Sequence, residues 1–276
     1  MISPHSNYIF IAVNYNNSNF TINYIDSINR LNLIGNEKIK IIIVDNNSNQ
    51  NDIKNLNNYL NKVNNADLIN LSNNLGYFKG LNQGIQLVKK DSNTLLIIGN
   101  NDLTFDENFI LNLKKINYDK DIMVIAPNII TKEGRQQNPH VIEKVSFIDK
   151  LKSEIYFSNY YVGQAFRFIN QAIKKTCRKP PILKNNYKQM KIKRGIGACY
   201  ILTPNFTEKF ELLDDRVFMW GEEALLSNQI ESVGGATLYD PSIIVYHHES
   251  ASVKGMQTKD RYNIVKESHK IYKKYL

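Results

Sequence analysis

The sequence is poor in cysteine, and its cysteines are not spaced for metal binding. Cys177 and Cys199 are the only two, and they form no CxxC pair. This argues against a disulfide framework and against a thiolate zinc site, and a reducing compartment is the simplest setting for such a chain. We therefore expect a cytoplasmic protein.

Long apolar runs and targeting signals are also missing. No apolar run reaches the roughly 18 residues that a membrane-spanning helix needs. The first residues, MISPHSNYIFIAVNY, have neither a basic start nor a small-residue cleavage site. This pattern predicts a first β-strand rather than a signal peptide.

Several catalytic motifs are absent. Glycines stand at 76, 80 and 84, but this is not the spacing of a phosphate-binding loop or a dinucleotide fingerprint. There is no serine elbow and no cysteine with a catalytic partner. Any chemistry must therefore rest on carboxylates and histidines. The candidates are Asp45, Asp102, Glu222, Glu223, His247 and His248.

Basic residues outnumber acidic ones, and the formal net charge is +9. Such a charge suits anionic partners, although a solvated basic surface explains it equally well. Residues 171–194 contain nine Lys or Arg and no Asp or Glu. This stretch is either a solvated loop or a patch for an anionic membrane surface or acceptor. Because it is not interleaved with aromatic residues on strands, nucleic acid is not the expected partner.

Apolar runs of strand length alternate with amphipathic helix patterns in the first half of the chain. Such runs are typical of strands buried on both faces, and the alternation predicts an α/β protein with a mostly parallel central sheet flanked by helices. A strand at 195–203, a helix opened by Glu222 and Glu223, two short strands and a basic amphipathic C-terminal helix follow. The early runs are at 8–15, 38–48, 66–71, 93–100 and 121–130, and the helix patterns are at 19–31, 78–90 and 106–116.

Two of the early runs end in a carboxylate. The segment LLIIGNNDLTF, residues 95–105, stops its apolar run before Asn100, Asn101 and Asp102, and the run at 38–48 reaches Asp45. Ligands of α/β sheets bind at the carboxyl ends of the strands. Asp102 is therefore either a turn residue or a metal ligand, since Mg²⁺ takes carboxylates together with phosphate oxygens and Mn²⁺ also accepts a histidine. The acids that open the later helix either complement its dipole or supply a general base.

Six segments, taken in order, resemble the motifs of one family. The chain is similar to family 2 glycosyltransferases of the GT-A fold, in the branch of bacterial rhamnosyltransferase-like enzymes, from residue 11 to about residue 252. The six segments are VDNNSNQND, NNLGYFKGLNQGI, LLIIGNNDLTF, GIGACYILT, LLDDRVFMWGEEALLSNQIESVGG and IIVYHHESAS.

The resemblance implies a donor site in the first half of the chain. Asp45 would bind the nucleobase, and Val13 and Asn14 would line its pocket. Asn100 and Asn101 would lie near the ribose or the diphosphate. Asp102, in the variant DXD motif, would ligate Mn²⁺ or Mg²⁺, with His247 as the second metal or diphosphate ligand.

The resemblance also implies an acceptor side. Glu223 would be the catalytic base, with its neighbour Glu222 as the fallback. Asp214, Asp215 and Trp220 would frame the acceptor. The chain departs from the family pattern at Asn100, where the first acid of the DXD motif is an amide, and at Glu223, where the family has an aspartate. It also has Leu225 and Gln229 in place of a further acid and an arginine.

The activity implied is an inverting sugar transfer from a UDP- or dTDP-linked donor to a hydroxyl of a glycan or lipid-linked glycan acceptor. Assembly of a bacterial surface polysaccharide, such as an O-antigen, a capsule or a lipooligosaccharide, is the expected setting, with attachment to the inner face of the cytoplasmic membrane as a further expectation. The alternatives are a nucleotidyltransferase and a nucleotide-sugar-binding protein that transfers no sugar.

The expected organisation is one catalytic domain over residues 1–276. Residues 1–135 would form the nucleotide-sugar half, and 136–194 a basic, partly helical acceptor or membrane side. Residues 195–252 would carry the catalytic and acceptor half, and 253–276 a basic C-terminal helix. The oligomeric state is not expected to follow from the sequence.

Overall fold

The protein alternates strands and helices through most of its length. The computed structural model describes residues 5–143, 145–176, 187–249 and 258–276. The strands are β1 (Asn7–Asn14), β2 (Lys38–Asp45), β3 (Ala66–Asn70), β4 (Thr94–Asn100), β5 (Leu103–Phe105), β6 (Ile122–Thr131), β7 (Met190–Ile192), β8 (Cys199–Leu202) and β9 (Ala236–His247). The helices are α1 (Ser18–Asn29), α2 (Gln50–Leu60), α3 (Tyr77–Ile85), α4 (Phe109–Leu113), α5 (Phe147–Ser158), α6 (Tyr160–Thr176), α7 (Pro204–Lys209), α8 (Glu222–Glu231), α9 (Thr258–Tyr272) and a 3-10 turn (Lys273–Tyr275).

All of these strands belong to one sheet. Its order is β3-β2-β1-β4-β8-β6-β9-β5, and β7 pairs with β9 beside this path. Strands β1 to β4 pair in parallel, as do β6 and β9, whereas β5, β7 and β8 pair antiparallel to their neighbours. In register, Asn14 lies beside Asp45 and Val13 beside Asn100. Parallel pairing therefore brings the polar ends of β1, β2 and β4 to one edge of the sheet.

Both faces of the sheet are buried because successive side chains point to opposite sides. On β1, Phe10 belongs to the core under α1 together with Tyr24, and Ile11 belongs to the opposite core under α3 together with Leu81. All four of these side chains are fully buried. The continuous apolar runs of the sequence are thus explained by helices on both faces, as in other parallel α/β sheets.

The predicted α/β class, with a helix-flanked central sheet and a C-terminal helix, is confirmed. Parallel pairing is confined to part of the sheet, because β8 runs against both β4 and β6. The two short strands expected after α8 are one continuous strand, β9, whose pairing with β6 shifts register after Pro127. The division of the chain into functional segments stays a prediction, and Cys177 and the start of the segment 253–276 lie outside the described residues.

Helices α5 and α6, which lie in the segment 136–194, pack against α9. The ring of Phe157 stacks on His269 at 4.4 Å between centroids, and the Ser153 hydroxyl lies 2.9 Å from Nε2 of the same histidine. Tyr262 donates a hydrogen bond to the carbonyl of Tyr156. Among the described residues, no helix is both long enough and apolar enough to span a bilayer.

Candidate active site

A cavity of about 700 Å³ opens at the carboxyl edge of the sheet. Its lining includes the ends of β1 and β4 and the loop after β4. It also includes the loop before α8 and one residue of α9. Most of the predicted site residues line this cavity, and they are Val13, Asn100, Asn101, Asp102, Trp220, Glu222, Glu223 and His247.

Asp102 and His247 meet at one corner of the cavity. Asp102 follows β4, and His247 is the last residue of β9, which pairs with β5 so that the two loops meet. Nε2 of His247 lies 3.3 Å from Oδ1 of Asp102 and 3.5 Å from Nδ2 of Asn100. Nδ1 of His247 lies 2.8 Å from Oε1 of Gln137. The backbone N–H of His248 donates to the Asp102 carbonyl at 2.9 Å, which ties the two loops together.

This corner suits a divalent cation. Because Oε1 of Gln137 can only accept, it holds a proton on Nδ1 of His247 and orients the ring so that Nε2 faces Asp102. In the neutral imidazole this nitrogen carries a lone pair, so Nε2 and the Asp102 oxygen 3.3 Å away would be able to ligate one cation together. Mn²⁺ would take both groups, and a hydrogen-bond acceptor behind the imidazole, here Oε1 of Gln137, orients a metal-bound histidine. Within the described part of the chain, no cluster of three or more His, Cys, Asp or Glu residues could hold a metal, so remaining ligands would come from phosphate oxygens and water.

Asp45 and Asn14 lie beneath the cavity and do not line it. Asp45 is fully buried and accepts hydrogen bonds from Nδ2 of Asn14 at 2.7 Å and from the Ser48 N–H at 2.8 Å. Asn101 donates to Thr21 at 2.8 Å and so extends this network to the loop after β4. The residue of this strand end that does line the cavity is Asn46. A nucleobase role for Asp45 therefore remains a prediction. In the structure, its hydrogen bonds hold the ends of β1 and β2 and the following loop together beneath the cavity.

The two adjacent glutamates at the start of α8 have different surroundings. Oε1 of Glu223 accepts the Gly197 N–H at 3.1 Å. Glu222 is 4% exposed, and its Oε1 has no hydrogen-bond partner among the described residues. Burial, reinforced by the charge of Glu223, raises the pKa of Glu222 to about 8. At neutral pH, Glu222 is therefore largely a neutral acid, which favours Glu223 as the proton acceptor.

The raised pKa of Glu222 predicts a pH-dependent cost to stability. The unfolded chain releases this proton near the ordinary glutamate pKa, whereas the folded protein holds it up to about pH 8, so the free energy of unfolding falls as pH rises between these values. Glu222→Gln removes the titration. Its melting temperature should exceed that of the wild type by a margin that grows from about pH 5 to pH 8 and then levels off. Differential scanning calorimetry across this range checks it, with Glu208→Gln, an exposed glutamate, as the control. A margin that does not change with pH would contradict the raised pKa.

Gly197 connects Glu223 to helix α3. Its N–H holds Glu223, and its carbonyl accepts the hydroxyl of Tyr77 at 2.8 Å. A Cβ at Gly197 would lie only 2.9 Å from Oε1 of Glu223, so a larger residue here would force the carboxylate to shift. The N–H of Tyr77 donates to the Phe218 carbonyl at 3.0 Å. The first residue of α3 thus anchors both segments that flank Glu223.

The remaining predicted residues lie on the loop before α8, and only Trp220 lines the cavity. Asp214 forms a two-point ion pair with Arg216, at 2.7 and 2.5 Å. Asp215 accepts Nδ2 of Asn82 at 3.0 Å. Both acids hold the loop in place from outside the cavity, so a direct role with the acceptor stays a prediction.

Several cavity residues were not predicted from the sequence. Asn46 could have been suspected as the neighbour of Asp45. Gln137 lies in a segment without a recognisable pattern, and Ile264 lies on a helix far along the chain. The sequence around Tyr77 has no pattern that predicts a role in the site. Its role follows from its hydrogen bonds to Gly197 and Phe218, which are distant in sequence. These further lining residues are Tyr15, Asn46, Asn74, Gly76, Tyr77, Gln137, Ile196, Gly197, Ala198, Phe218, Met219, Glu249 and Ile264.

The sheet, its edge cavity and the C-terminal helix together define a GT-A fold, which several solved structures share. GalNAc-T7, solved with UDP, GalNAc and Mn²⁺, is 15% identical with a TM-score of 0.60, over 89% of this chain and 44% of that one. The mannosyltransferase PcManGT from Pyrobaculum calidifontis, in complex with GDP-Man and Mn²⁺, is 11% identical with a TM-score of 0.57, over 99% and 65%. S. aureus TarS 1-349 is 10% identical with a TM-score of 0.55, over 88% and 60%. The chain thus spans less than two thirds of each of these structures.

The chain belongs to glycosyl transferase family 2. The model of that family matches residues 9–177, which is more than half of the 276 residues. The family expected from the six motifs is therefore confirmed, and the rhamnosyltransferase-like branch stays a prediction. No curated protein matches the chain.

Proposed function

We propose that this protein is an inverting, metal-dependent glycosyltransferase that moves a hexosyl or deoxyhexosyl group from a UDP- or dTDP-linked donor to a hydroxyl of a glycan acceptor. One observation carries the proposal. A facing carboxylate and imidazole, Asp102 and His247, share a cavity with an accessible glutamate, Glu223. A volume of about 700 Å³ lies within the range of small-molecule and cofactor sites.

The donor would lie against the ends of β1 and β4. Val13, Asn46 and Asn100 line this part of the cavity and would contact the nucleotide, while Asp102 and His247 would hold Mn²⁺ or Mg²⁺. When bound, such a cation neutralises the negative charge that develops on the departing diphosphate. Two solved relatives of the fold contain Mn²⁺ together with a nucleotide or a nucleotide sugar, which supports this assignment.

Glu223 would act on the acceptor. A sugar hydroxyl is a weak nucleophile until a base removes its proton during attack. Gly197 holds Glu223 by one carboxylate oxygen, so the other oxygen is available to the hydroxyl. Attack from the side opposite the diphosphate breaks the glycosidic bond to the phosphate oxygen as the new bond forms, and this inverts the anomeric carbon.

The acceptor would be a glycan of a bacterial surface polysaccharide, carried on a lipid at the inner face of the cytoplasmic membrane. The basic stretch 171–194 supports this setting, since clustered Lys and Arg bind anionic lipid surfaces. Flotation with anionic liposomes at low salt tests the membrane part. Absence of the protein from the lipid fraction would refute that part alone.

A thermal-shift screen of nucleotides and nucleotide sugars, with and without Mn²⁺, tests the proposal. We expect UDP or dTDP and their sugars to raise the melting temperature of the protein only when Mn²⁺ is present. In a separate incubation, the stabilising nucleotide sugar should slowly release its nucleoside diphosphate. A nucleotidyltransferase would instead release pyrophosphate from a nucleoside triphosphate, and a binding protein would release nothing. Lack of any Mn²⁺-dependent stabilisation would refute the proposed function.

A further inference from the structure

The backbone of Gly197 joins the proposed base to a single tyrosine hydroxyl. Its N–H donates to Oε1 of Glu223 at 3.1 Å, and its carbonyl accepts the hydroxyl of Tyr77 at 2.8 Å. The peptide planes on either side of a glycine can turn more freely than those of any other residue. The direction of the Gly197 N–H therefore depends on the hydrogen bonds that hold this residue.

Tyr77 is fixed by its own backbone. It is the first residue of α3, and its N–H donates to the Phe218 carbonyl at 3.0 Å. The preceding residue, Gly76, has a φ of 91°, and a Cβ there would overlap the same carbonyl oxygen. Only glycine permits this approach. The start of α3 and the loop that leads to Glu223 are thus joined, and the Tyr77 side chain extends from this junction to Gly197.

The hydroxyl of Tyr77 keeps its proton. Burial, reinforced by the charge of Glu222, raises the pKa of Tyr77 well above its ordinary value. A backbone carbonyl can only accept, so the proton in the bond to Gly197 comes from the phenol. A phenylalanine at this position would keep the ring and lose only the hydrogen-bond donor.

A second tyrosine makes the same type of bond two residues earlier in the loop. The hydroxyl of Tyr200 donates to the Gly195 carbonyl at 2.8 Å. Tyr200 is buried and does not line the cavity. Its bond ends at Gly195, whereas the bond of Tyr77 ends at the residue that holds Glu223. The loop thus contains two tyrosine–glycine bonds, and one of them adjoins the proposed base.

We propose that Tyr77 is a positioning residue for Glu223 and acts through the backbone of Gly197. The inference rests on the proposed function, in which Glu223 is the base, and adds that helix α3 sets the orientation of this base. With Gly197 fixed, its N–H holds one oxygen of Glu223 and leaves the other for the acceptor hydroxyl. Without the Tyr77 hydroxyl, the Gly197 backbone can turn and Glu223 loses a fixed partner.

Hydrogen exchange measured by NMR tests the structural step without any sugar donor. The chain contains 13 glycines, so protein labelled only at glycine gives few amide signals, and the Gly197 signal is the one that Gly197→Ala lacks. We expect Tyr77→Phe to speed exchange of this amide by about tenfold, the effect of losing one hydrogen bond. Tyr200→Phe is the matched control, since it removes the same type of bond from Gly195 and should leave the Gly197 amide as in the wild type.

Turnover, measured as release of nucleoside diphosphate, tests the functional step. Tyr77→Phe should lower kcat by about ten- to a hundredfold, because a small misplacement of a catalytic group has this effect. The KM for the nucleotide sugar and the affinity for UDP with Mn²⁺ should not change. In the Glu223→Gln background, Tyr77→Phe should lower the residual turnover no further, because residues that act as one unit are not additive. Tyr200→Phe should keep the turnover of the wild type.

Three results would overturn the inference. One is unchanged exchange of the Gly197 amide in Tyr77→Phe, and another is an equal effect of Tyr200→Phe on exchange and turnover. The third is a loss of turnover that persists in full in the Glu223→Gln background, since the hydroxyl would then act on the substrate directly. Failure of the wild type to release nucleoside diphosphate from any nucleotide sugar would instead refute the proposed function, and the exchange measurement would still decide whether Tyr77 fixes Gly197.

Discussion

Replacing Glu223 with glutamine is expected to lower turnover by about a hundredfold to ten-thousandfold, the usual contribution of a general base. Glutamine keeps the carbonyl oxygen that accepts the Gly197 N–H at 3.1 Å, so the side chain should stay in place and lose only its ability to take a proton. Affinity for UDP with Mn²⁺ should be unchanged. Release of nucleoside diphosphate from the donor found in the thermal-shift screen measures the effect.

Glu222→Gln is the matched control for this prediction, because it makes the same change one residue away. Glu222 is buried, and its pKa of about 8 keeps it mostly neutral at pH 7. A glutamine therefore resembles the form that is already present, and turnover should change little. If Glu222→Gln removes activity and Glu223→Gln retains it, the base has been assigned to the wrong residue. If both variants remain active, neither glutamate acts as the base.

The class of fold could be predicted because the buried strands appear in the sequence as apolar runs and several helices show a helical apolar periodicity. The runs that became β1, β2 and β4 are buried on both faces, and burial of this kind leaves a continuous pattern. Helix α2 was not recognised, since only Leu56 among its residues is buried. Its start is marked by capping from Asn49, whose side chain accepts the Asp52 N–H, and this polar signal resembles that of a loop.

The candidate site could be predicted only in part, for a similar reason. Asp102 and Glu223 stand at an abrupt change from apolar to polar sequence, which marks a strand end and a helix start. Asn46 lines the cavity and Asp45 does not. Successive side chains at a strand end point in opposite directions, and the sequence does not indicate which of the two faces the cavity. Gln137 and Ile264 become part of the site only through contacts between segments that are distant in sequence, since Gln137 lies 110 residues before His247 and Ile264 lies on α9, beyond the loop before α8.

Replacing Asp102 with asparagine is expected to weaken Mn²⁺-dependent UDP binding by about a hundredfold or more, since loss of a residue that merely supports a metal ligand already costs about ten- to a hundredfold. The substitution preserves shape and leaves the backbone carbonyl that accepts the His248 N–H. It removes the negative charge that faces Nε2 of His247 at 3.3 Å. Calorimetric titration of UDP at several Mn²⁺ concentrations measures the change.

Two further variants show whether the loss reflects the cation rather than the loop. Asp106→Asn makes the same substitution four residues later, outside the cavity, and should bind UDP with Mn²⁺ as the wild type does. Gln137→Leu removes the acceptor that lies 2.8 Å from Nδ1 of His247. Without it, the imidazole no longer has one preferred tautomer or orientation, and affinity should fall by about ten- to a hundredfold. Wild-type affinity in Asp102→Asn would exclude Asp102 as a ligand. A loss in Gln137→Leu without Mn²⁺ would mean that Gln137 shapes the nucleotide pocket and does not act through His247.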